Sequence, residues 1–171
     1  MHADRSLTFD VVVEVPKGSR NKYEWDADMG VMRLDRQLFT ATRYPAEYGF
    51  VPQTRALDGD PLDALVILDE PTFPGCHIQC RAVGVLEMTD EHGDDAKILA
   101  VPSNDPRMEW RELDEVPTPL LEEIRHFFNI YKDLEPDKVT KVGAWRGRHE
   151  AEREISDAQE RFGGSGPGGA A

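Results

Sequence analysis

Residues 58–68 read DGDPLDALVIL, an acidic loop that is followed at once by an apolar run. The run over residues 64–68 is continuous, which is typical of a short strand buried on both faces. Gly59 and Pro61 favour a turning or extended backbone, so the acidic side chains need not follow helical spacing. The loop carries three carboxylates, Asp58, Asp60 and Asp63. We therefore expect three carboxylates anchored at the rim of a rigid sheet, where a site can hold its geometry.

Short segments rich in apolar or β-branched residues surround this run and predict further strands. They cover residues 7–15, 23–25, 31–34, 48–51, 78–88 and 97–101. Two helices are predicted after them: one is capped by Thr118 with Pro119 at its first position, and the other covers residues 148–161. Strands followed by helices predict one α+β domain, a small closed β-barrel with helices packed outside it. The domain is predicted to end at residue 162, and the Gly-rich tail 163–171 is expected to be disordered.

The composition restricts the classes of function. Acidic residues number 33 against 20 basic ones, which gives a formal net charge of −13. This charge disfavours non-specific binding to nucleic acid or to an anionic membrane surface. An anionic substrate would need metal ions or a local cluster of Lys and Arg. No apolar run is long enough to span a bilayer and the first residues lack a secretory signal, so we expect a cytoplasmic protein.

The acidic loop has two interpretations when it is considered alone. Three neighbouring anions repel one another unless a cation lies among them, and hard oxygen ligands suit Mg²⁺, Mn²⁺ or Ca²⁺. A solvated acidic turn is the alternative, and it stays open at this point. A calcium-binding EF-hand is excluded by spacing. Counted from Asp58, position six is Asp63, where glycine is needed, and position twelve is Asp69 rather than glutamate.

A second acidic cluster lies between two predicted strands, in residues 90–97 (DEHGDDAK). It would complete a metal site if the fold brought it against the first loop, and it is otherwise a polar hairpin loop. His92 is a candidate metal ligand or proton carrier there. Cys76 and Cys80 are too few for a disulfide framework or a structural zinc site, and we interpret them as small apolar side chains. Phosphate-loop and serine-nucleophile motifs are absent from the sequence.

Several ordered segments together resemble the family I soluble inorganic pyrophosphatases, over nearly the whole chain from about residue 9 to 162. Residues 58–64 fit the family signature at every position. The other matching segments are residues 14–24, 34–36, 44–50, 90–97 and 126–134. His92 after Asp90 and Glu91 makes bacterial, specifically actinobacterial, members the most similar. The resemblance implies a five-stranded OB-like barrel flanked by two main C-terminal helices, pyrophosphate as substrate, and a homohexamer.

The resemblance also implies a role for individual residues. The implied metal ligands are Glu14, Asp58, Asp63, Asp90 and Asp95, with Glu24 in support. The implied general base is Asp60 or Asp95, and the choice between them stays open. The implied phosphate contacts are Lys22, Arg36, Tyr48, Lys97, Tyr131 and Lys132, with Tyr44 in support. The implied cofactor is Mg²⁺, with Mn²⁺ or Zn²⁺ as substitutes and Ca²⁺ as an inhibitor, and it would activate the attacking water.

One departure and one rival function accompany this resemblance. Related actinobacterial enzymes can carry a histidine after the Tyr-Glu segment, whereas residues 25–28 here are Trp, Asp, Ala and Asp. The rival function is an OB-like nucleic-acid-binding module, which would need a basic groove with stacking aromatics. The net charge of −13 disfavours that module. A catalytically inactive metal-binding relative is a third possibility, against which the complete set of motif residues speaks.

Overall fold

The computed structural model describes residues 6–164. Within this range the chain forms strands over its first two-thirds and places its two α-helices towards the end. The strands are β1 (Thr8–Val15), β2 (Asn21–Asp26), β3 (Val31–Gln37), β4 (Glu47–Val51), β5 (Leu62–Val66), β6 (His77–Asp90), β7 (Gly93–Asp94), β8 (Lys97–Pro102) and β9 (Thr140–Arg146). The helices are a 3-10 turn (Leu113–Glu115), α1 (Thr118–Ile130) and α2 (Arg148–Gly163).

Five strands close into a ring. β1 pairs with β4, β4 with β5, β5 with β8, β8 with β6, and β6 returns to β1. All of these pairs are antiparallel except β5–β8, which is parallel. The 14-residue β6 is long enough to pair with β1, β8, β7 and β9. The ring and its two helices confirm the predicted α+β fold with a small closed barrel.

Strand β5 is buried on both faces, as its apolar run predicts. Leu65 belongs to one core cluster, which also contains the α1 residues Ile124 and Phe127. Ala64 and Val66 belong to a second cluster, which contains buried residues of α2. The strand begins two residues earlier than predicted, at Leu62, so Asp63 is held within the sheet rather than in the loop before it.

Both helices form where the apolar spacing predicts them. Helix α1 buries Ile124, Phe127 and Phe128 on one face. Thr118 is the first helical residue rather than a cap, because the extended Pro117 precedes the helix. Helix α2 runs from Arg148 to Gly163. The rest of the predicted disordered tail, residues 165–171, lies outside the described residues.

Strands β7 and β9 and the 3-10 turn were not predicted. Strand β9 adds to the long β6 between the two helices. Strands β2 and β3 were predicted, and they form a separate two-stranded sheet that is not hydrogen-bonded into the ring. Neither helix of residues 6–164 combines the length and the apolar character that crossing a membrane would require.

Candidate active site

The two acidic loops meet in one open pocket of about 340 Å³. Every residue proposed from the sequence lines this pocket except Arg36 and Tyr44. Its lining comprises Glu14, Lys22, Tyr23, Glu24, Trp25, Tyr48, Phe50, Asp58, Asp60, Pro61, Asp63, Asp90, His92, Asp95, Lys97, Tyr131 and Lys132. Residues far apart in the chain therefore converge on one cleft, which an isolated solvated turn would not produce.

Lys97 lies at the floor of the pocket and is 2% exposed. Its Nζ donates to Asp63 Oδ2 at 2.6 Å, to Asp95 Oδ1 at 2.7 Å and to the Tyr48 hydroxyl at 3.2 Å. The parallel pairing of β5 with β8 sets Asp63 beside Lys97 and so creates this contact. Burial disfavours the ammonium ion, but the two carboxylates outweigh it and raise the pKa of Lys97. All three N–H groups of the ammonium are thus occupied by protein acceptors.

The first acidic loop makes a tight turn that leaves two carboxylates exposed. Asp58 Oδ1 accepts a hydrogen bond from the Asp60 backbone N–H at 3.0 Å. Between them Gly59 adopts a φ of +92°, a conformation that side chains other than hydrogen strongly disfavour. Burial, followed by the nearby Asp58 and Asp63, raises the pKa of Asp60. The loop thus holds one carboxyl group with an increased affinity for protons at the mouth of the pocket.

The second acidic loop contributes Asp90 and Asp95 to the same pocket. Asp90 Oδ1 accepts from the His92 backbone N–H at 2.8 Å, while the His92 side chain is 74% exposed. Burial raises the pKa of Asp95 although Lys97 opposes this change. Asp94 does not line this pocket. It lines a separate cavity of about 370 Å³ beside β6, β9 and α2.

Glu14 reaches the pocket from a bulge in β1. The register between β1 and β4 shifts between Val13 and Val15, which leaves Glu14 as the extra residue. Its Oε2 accepts from the Trp25 backbone N–H at 2.8 Å. Burial raises the pKa of Glu14 to about 7, a rise to which the neighbouring Asp63 contributes. The site thus contains an acid that is easily protonated unless a cation stabilises its charge.

Cationic and phenolic groups face these carboxylates. Lys22 Nζ lies 2.6 Å from Glu24 Oε1 and 3.3 Å from Asp35 Oδ2. Lys132 lies over the Tyr131 ring, and burial lowers the pKa of Lys132. Tyr48 and Tyr131 are mostly buried in an aromatic cluster with Phe127 and Phe128. Burial raises the pKa of both phenols, so each hydroxyl stays protonated and can donate a hydrogen bond to an anion.

The two predicted residues outside the lining lie just behind it. Tyr44 is 2% exposed and packs against Tyr48, with ring centroids 5.3 Å apart. Arg36 lies on β3 opposite Lys22 and forms ion pairs with Asp35 and Glu135. Tyr44 is therefore placed to support the Tyr48 ring, and Arg36 contacts the same Asp35 oxygen as the pocket residue Lys22.

Sequence reasoning missed several residues of the site and its surroundings. Tyr23, Trp25, Phe50 and Pro61 contribute apolar or aromatic lining, and no titratable pattern marks them. Asp35 and Glu135, which pair with the cations, were also missed. Asp35 lies within the matching segment 34–36, next to the predicted phosphate contact Arg36. Glu135 lies three residues after the predicted phosphate contact Lys132, and that proximity is its signal in the sequence.

The donor set suits a hard divalent cation, although it is not assembled around one. Among residues 6–164, no three carboxylate, imidazole or thiol groups lie close enough together to form a ready metal cluster. Lys97 instead holds Asp63 and Asp95. The remaining candidate donors are carboxylate oxygens, which are the ligands that Mg²⁺ and Mn²⁺ prefer. The chemistry of these residues fits such ions.

The chain is similar to known proteins over nearly its whole length. The family profile described as "Pyrophosphatase: Inorganic pyrophosphatase" matches residues 11–163. A protein of Streptomyces coelicolor called "Inorganic pyrophosphatase" is 59% identical over 157 residues, which cover 91% of this chain and 96% of that protein. One of Leifsonia xyli subsp. xyli, with the same name, is 53% identical and covers 85% and 90% of the two chains. The crystal structure of inorganic pyrophosphatase from Thermus thermophilus superposes with a TM-score of 0.90, at 43% identity and 94% coverage of both chains.

Proposed function

This chain belongs to the inorganic pyrophosphatase family and hydrolyses inorganic pyrophosphate, and we propose that the acidic pocket is where the reaction takes place. The observation that carries this proposal is the convergence of the two acidic loops with Lys22, Tyr131 and Lys132 in one cleft. Pyrophosphate is a compact polyanion, and the cleft is of the right size and chemistry for such a substrate. The matching proteins give no support to the nucleic-acid-binding alternative.

Membership of the family implies a divalent metal cofactor. We propose Mg²⁺ as the working ion, with Mn²⁺ or Zn²⁺ as substitutes and Ca²⁺ as an inhibitor. When bound, such ions would screen the acidic wall from the substrate and lower the pKa of a shared water. The residues that would hold them are Glu14, Asp58, Asp63, Asp90 and Asp95, with Glu24 in support. The all-oxygen donor set and the raised pKa of Glu14 support this assignment.

Asp60 is the better of the two candidates for the general base. Asp95 accepts a charged hydrogen bond from Lys97, so one of its oxygens is already occupied. Asp60 is exposed at the mouth of the pocket, and partial desolvation together with its acidic neighbours raises its pKa, which increases its affinity for a proton. Asp60 would orient the attacking water and take its proton while Asp95 stays with Lys97.

The cations and phenols would bind the phosphoryl oxygens and stabilise the charge that develops on the leaving phosphate. Lys22, Lys132 and Tyr131 line the cleft with donor groups. Arg36 would add its guanidinium from the edge of the pocket. Lys97 donates a hydrogen bond to the Tyr48 hydroxyl. If either residue contacted phosphate directly, it would have to give up a hydrogen bond that it makes within the protein. Their present contacts support a role in neutralising Asp63 and Asp95.

The test is phosphate release from pyrophosphate with and without Mg²⁺, with ATP and polyphosphate as competing substrates. Asp60→Asn and Asp63→Asn should each reduce kcat by about 10²-fold or more, the size of a lost general base or anchored ligand. Asp94→Asn is a matched control, because Asp94 belongs to the second loop but lines a different cavity. It should keep wild-type activity. Undiminished turnover by both Asp60→Asn and Asp63→Asn would refute the site.

We also propose a cytoplasmic homohexamer, as the sequence resemblance implies. Large apolar side chains such as Phe73, at 63% exposure, and Val139, at 56%, support contacts between copies. Cys76 and Cys80 are both unpaired thiols, which suits a reducing compartment. Size-exclusion chromatography with light scattering would give the mass of the assembly, and a monomer would contradict the hexamer. Cell fractionation would test the compartment.

A further inference from the structure

We propose that Glu135 is a positioning residue that aims Arg36 at the substrate, an inference that rests on the proposed function of the pocket. Glu135 belongs to the turn that follows α1, directly after the pocket residues Tyr131 and Lys132. Its side chain is only 4% exposed. A buried carboxylate requires a charged partner, and its partner here comes from the separate β2–β3 hairpin.

The contact between the two residues fixes one edge of the guanidinium. Glu135 Oε1 lies 2.9 Å from Arg36 Nε, and Oε2 accepts a hydrogen bond from Nη2 at 3.2 Å. Both carboxylate oxygens therefore lie beside the Nε–Nη2 edge, where the Nη2 contact is a hydrogen bond and the Nε contact is an ion pair without hydrogen-bond geometry. A charged contact along one edge restricts rotation of the planar group. The remaining Nη1 points away from Glu135 and donates to Asp35 Oδ2.

The Nη1 atom of Arg36 and a second cation contact the same carboxylate oxygen. Lys22 Nζ lies 3.3 Å from the same Asp35 Oδ2 that Arg36 Nη1 contacts. Lys22 lines the pocket and pairs with Arg36 in the register of β2 and β3. Two cations around one oxygen form the arrangement that a phosphoryl oxygen requires. By holding the opposite edge of Arg36, Glu135 sets the direction in which this pair of cations points.

Glu135 also links two parts of the fold that share no strand pairing. The β2 and β3 strands pair only with each other within the described range. Arg36 and Glu135 are 99 residues apart in sequence. Their contact joins the hairpin that carries Lys22 and Glu24 to the turn that carries Tyr131 and Lys132. Without the carboxylate, Arg36 would be held by Asp35 alone, and Asp35 belongs to the same hairpin.

A double-mutant cycle on kcat/KM for magnesium pyrophosphate tests this role. Glu135→Gln should reduce kcat/KM about tenfold, because Arg36 loses its charged partner on one edge. In the Arg36→Gln background the same substitution should change kcat/KM less than about twofold, because the group to be positioned is gone. An equal loss in both backgrounds would mean that Glu135 acts through the fold alone, and no loss in Glu135→Gln would also overturn the proposal.

Two further variants separate positioning from stability. Glu112→Gln removes the acidic partner, 2.8 Å away, of the buried Arg148 outside the pocket. Glu112→Gln should lower Tm to an extent similar to that of Glu135→Gln, but it should keep wild-type kcat/KM. A parallel loss of activity in this control would show that kcat/KM follows stability, which overturns the proposal. If Glu135→Gln does not fold, Glu135→Asp keeps the charge but is too short to reach both nitrogens. It should lose about threefold in kcat/KM only where Arg36 is present.

The same measurements separate this inference from the proposed function. A wild-type protein that releases no phosphate would refute the function itself. An active wild type in which Arg36→Gln keeps full kcat/KM while Glu135→Gln loses it would refute the positioning role and leave the function standing.

Discussion

At the scale of single residues, the charge balance of the site depends on one buried ammonium ion. Lys97 compensates Asp63 and Asp95 together, and it lies within the sheet rather than on a loop. A carboxylate pair of this kind would otherwise repel in a partly buried setting. The acidic wall can therefore persist before any cation binds.

Replacing Lys97 should destabilise the protein most when metal is removed. Lys97→Gln leaves two partly buried carboxylates without their cation, which should lower the unfolding free energy by about 2–4 kcal/mol at neutral pH. Urea unfolding in EDTA measures this loss. Lys141→Gln, an exposed control on β9, should change it by less than about 0.5 kcal/mol. Equal effects of the two substitutions would show that Lys97 is not the electrostatic centre of the site.

Glu14 predicts a pH dependence of stability in the absence of metal. The pKa of Glu14 rises from 4.5 to about 7 on folding, so the folded state binds this proton more tightly. Its contribution to stability is present below about pH 4.5 and is lost as the pH rises through 7. The unfolding free energy of the metal-free protein should therefore fall by about 3 kcal/mol from this group between acidic and mildly alkaline pH. Glu14→Gln should remove that part of the slope, and an unchanged slope would contradict the assignment.

At the scale of elements, β1 and β4 approach each other where Gly49 has no side chain. A Cβ atom built on Gly49 would lie 1.9 Å from the Val12 carbonyl oxygen, a backbone atom that cannot yield without moving β1. Glu14 and Tyr48 lie on these same two strands. The spacing of the strands is therefore tied to the positions of two pocket residues.

Gly49→Ala should destabilise the protein by more than about 4 kcal/mol, or prevent folding, since the clash involves main chain on both strands. Gly163→Ala is the matched control, because Gly163 lies in α2 and nothing lies within 4 Å of a Cβ there. That control should be neutral or stabilising by up to about 1 kcal/mol. Thermal unfolding compares the two, and a mild effect at Gly49 would contradict the tight packing of β1 on β4.

Some structural elements and site residues could be predicted from the sequence, and others could not. Strand β5 was predictable because residues 64–68 are uninterrupted and apolar, and the two acidic loops were predictable from spacing and resemblance. Strand β9 was missed because Thr140–Arg146 contains Gly143 and mixes polar with apolar residues, and only its pairing with β6 makes it a strand. Glu135 was missed because its significance depends on Arg36, which only the folded chain brings near.

At the scale of the whole molecule, this acidic protein should be stabilised more by divalent cations that bind at its carboxylate site than by a simple salt. Its net charge is −13, so any cation gives some screening. Specific binding to the folded state adds RT ln(1 + [L]/Kd), about 2.7 kcal/mol at a hundredfold excess over Kd. Mg²⁺ should therefore raise Tm by roughly 5–10 °C beyond NaCl of equal ionic strength.

Asp63→Asn should remove most of this excess stabilisation, while Asp94→Asn should keep it. Differential scanning calorimetry in matched buffers gives both values. A rise in Tm that is the same in NaCl and MgCl₂ would show that the carboxylates only respond to general screening.

The parallel pairing of β5 with β8 has a consequence for the order of folding. Strands β4 and β5 follow each other in the chain and can pair early. Strand β8 pairs with β5 and with β6, so it can join β5 only after the long β6 has been synthesised. Contacts between distant segments form slowly, because loop closure must precede them. Asp63 therefore meets Lys97 only as the ring closes. During synthesis the nascent chain should form its hairpins before the ring closes, and Asp63 and Asp95 should gain their counter-ion only when residues 97–102 have emerged.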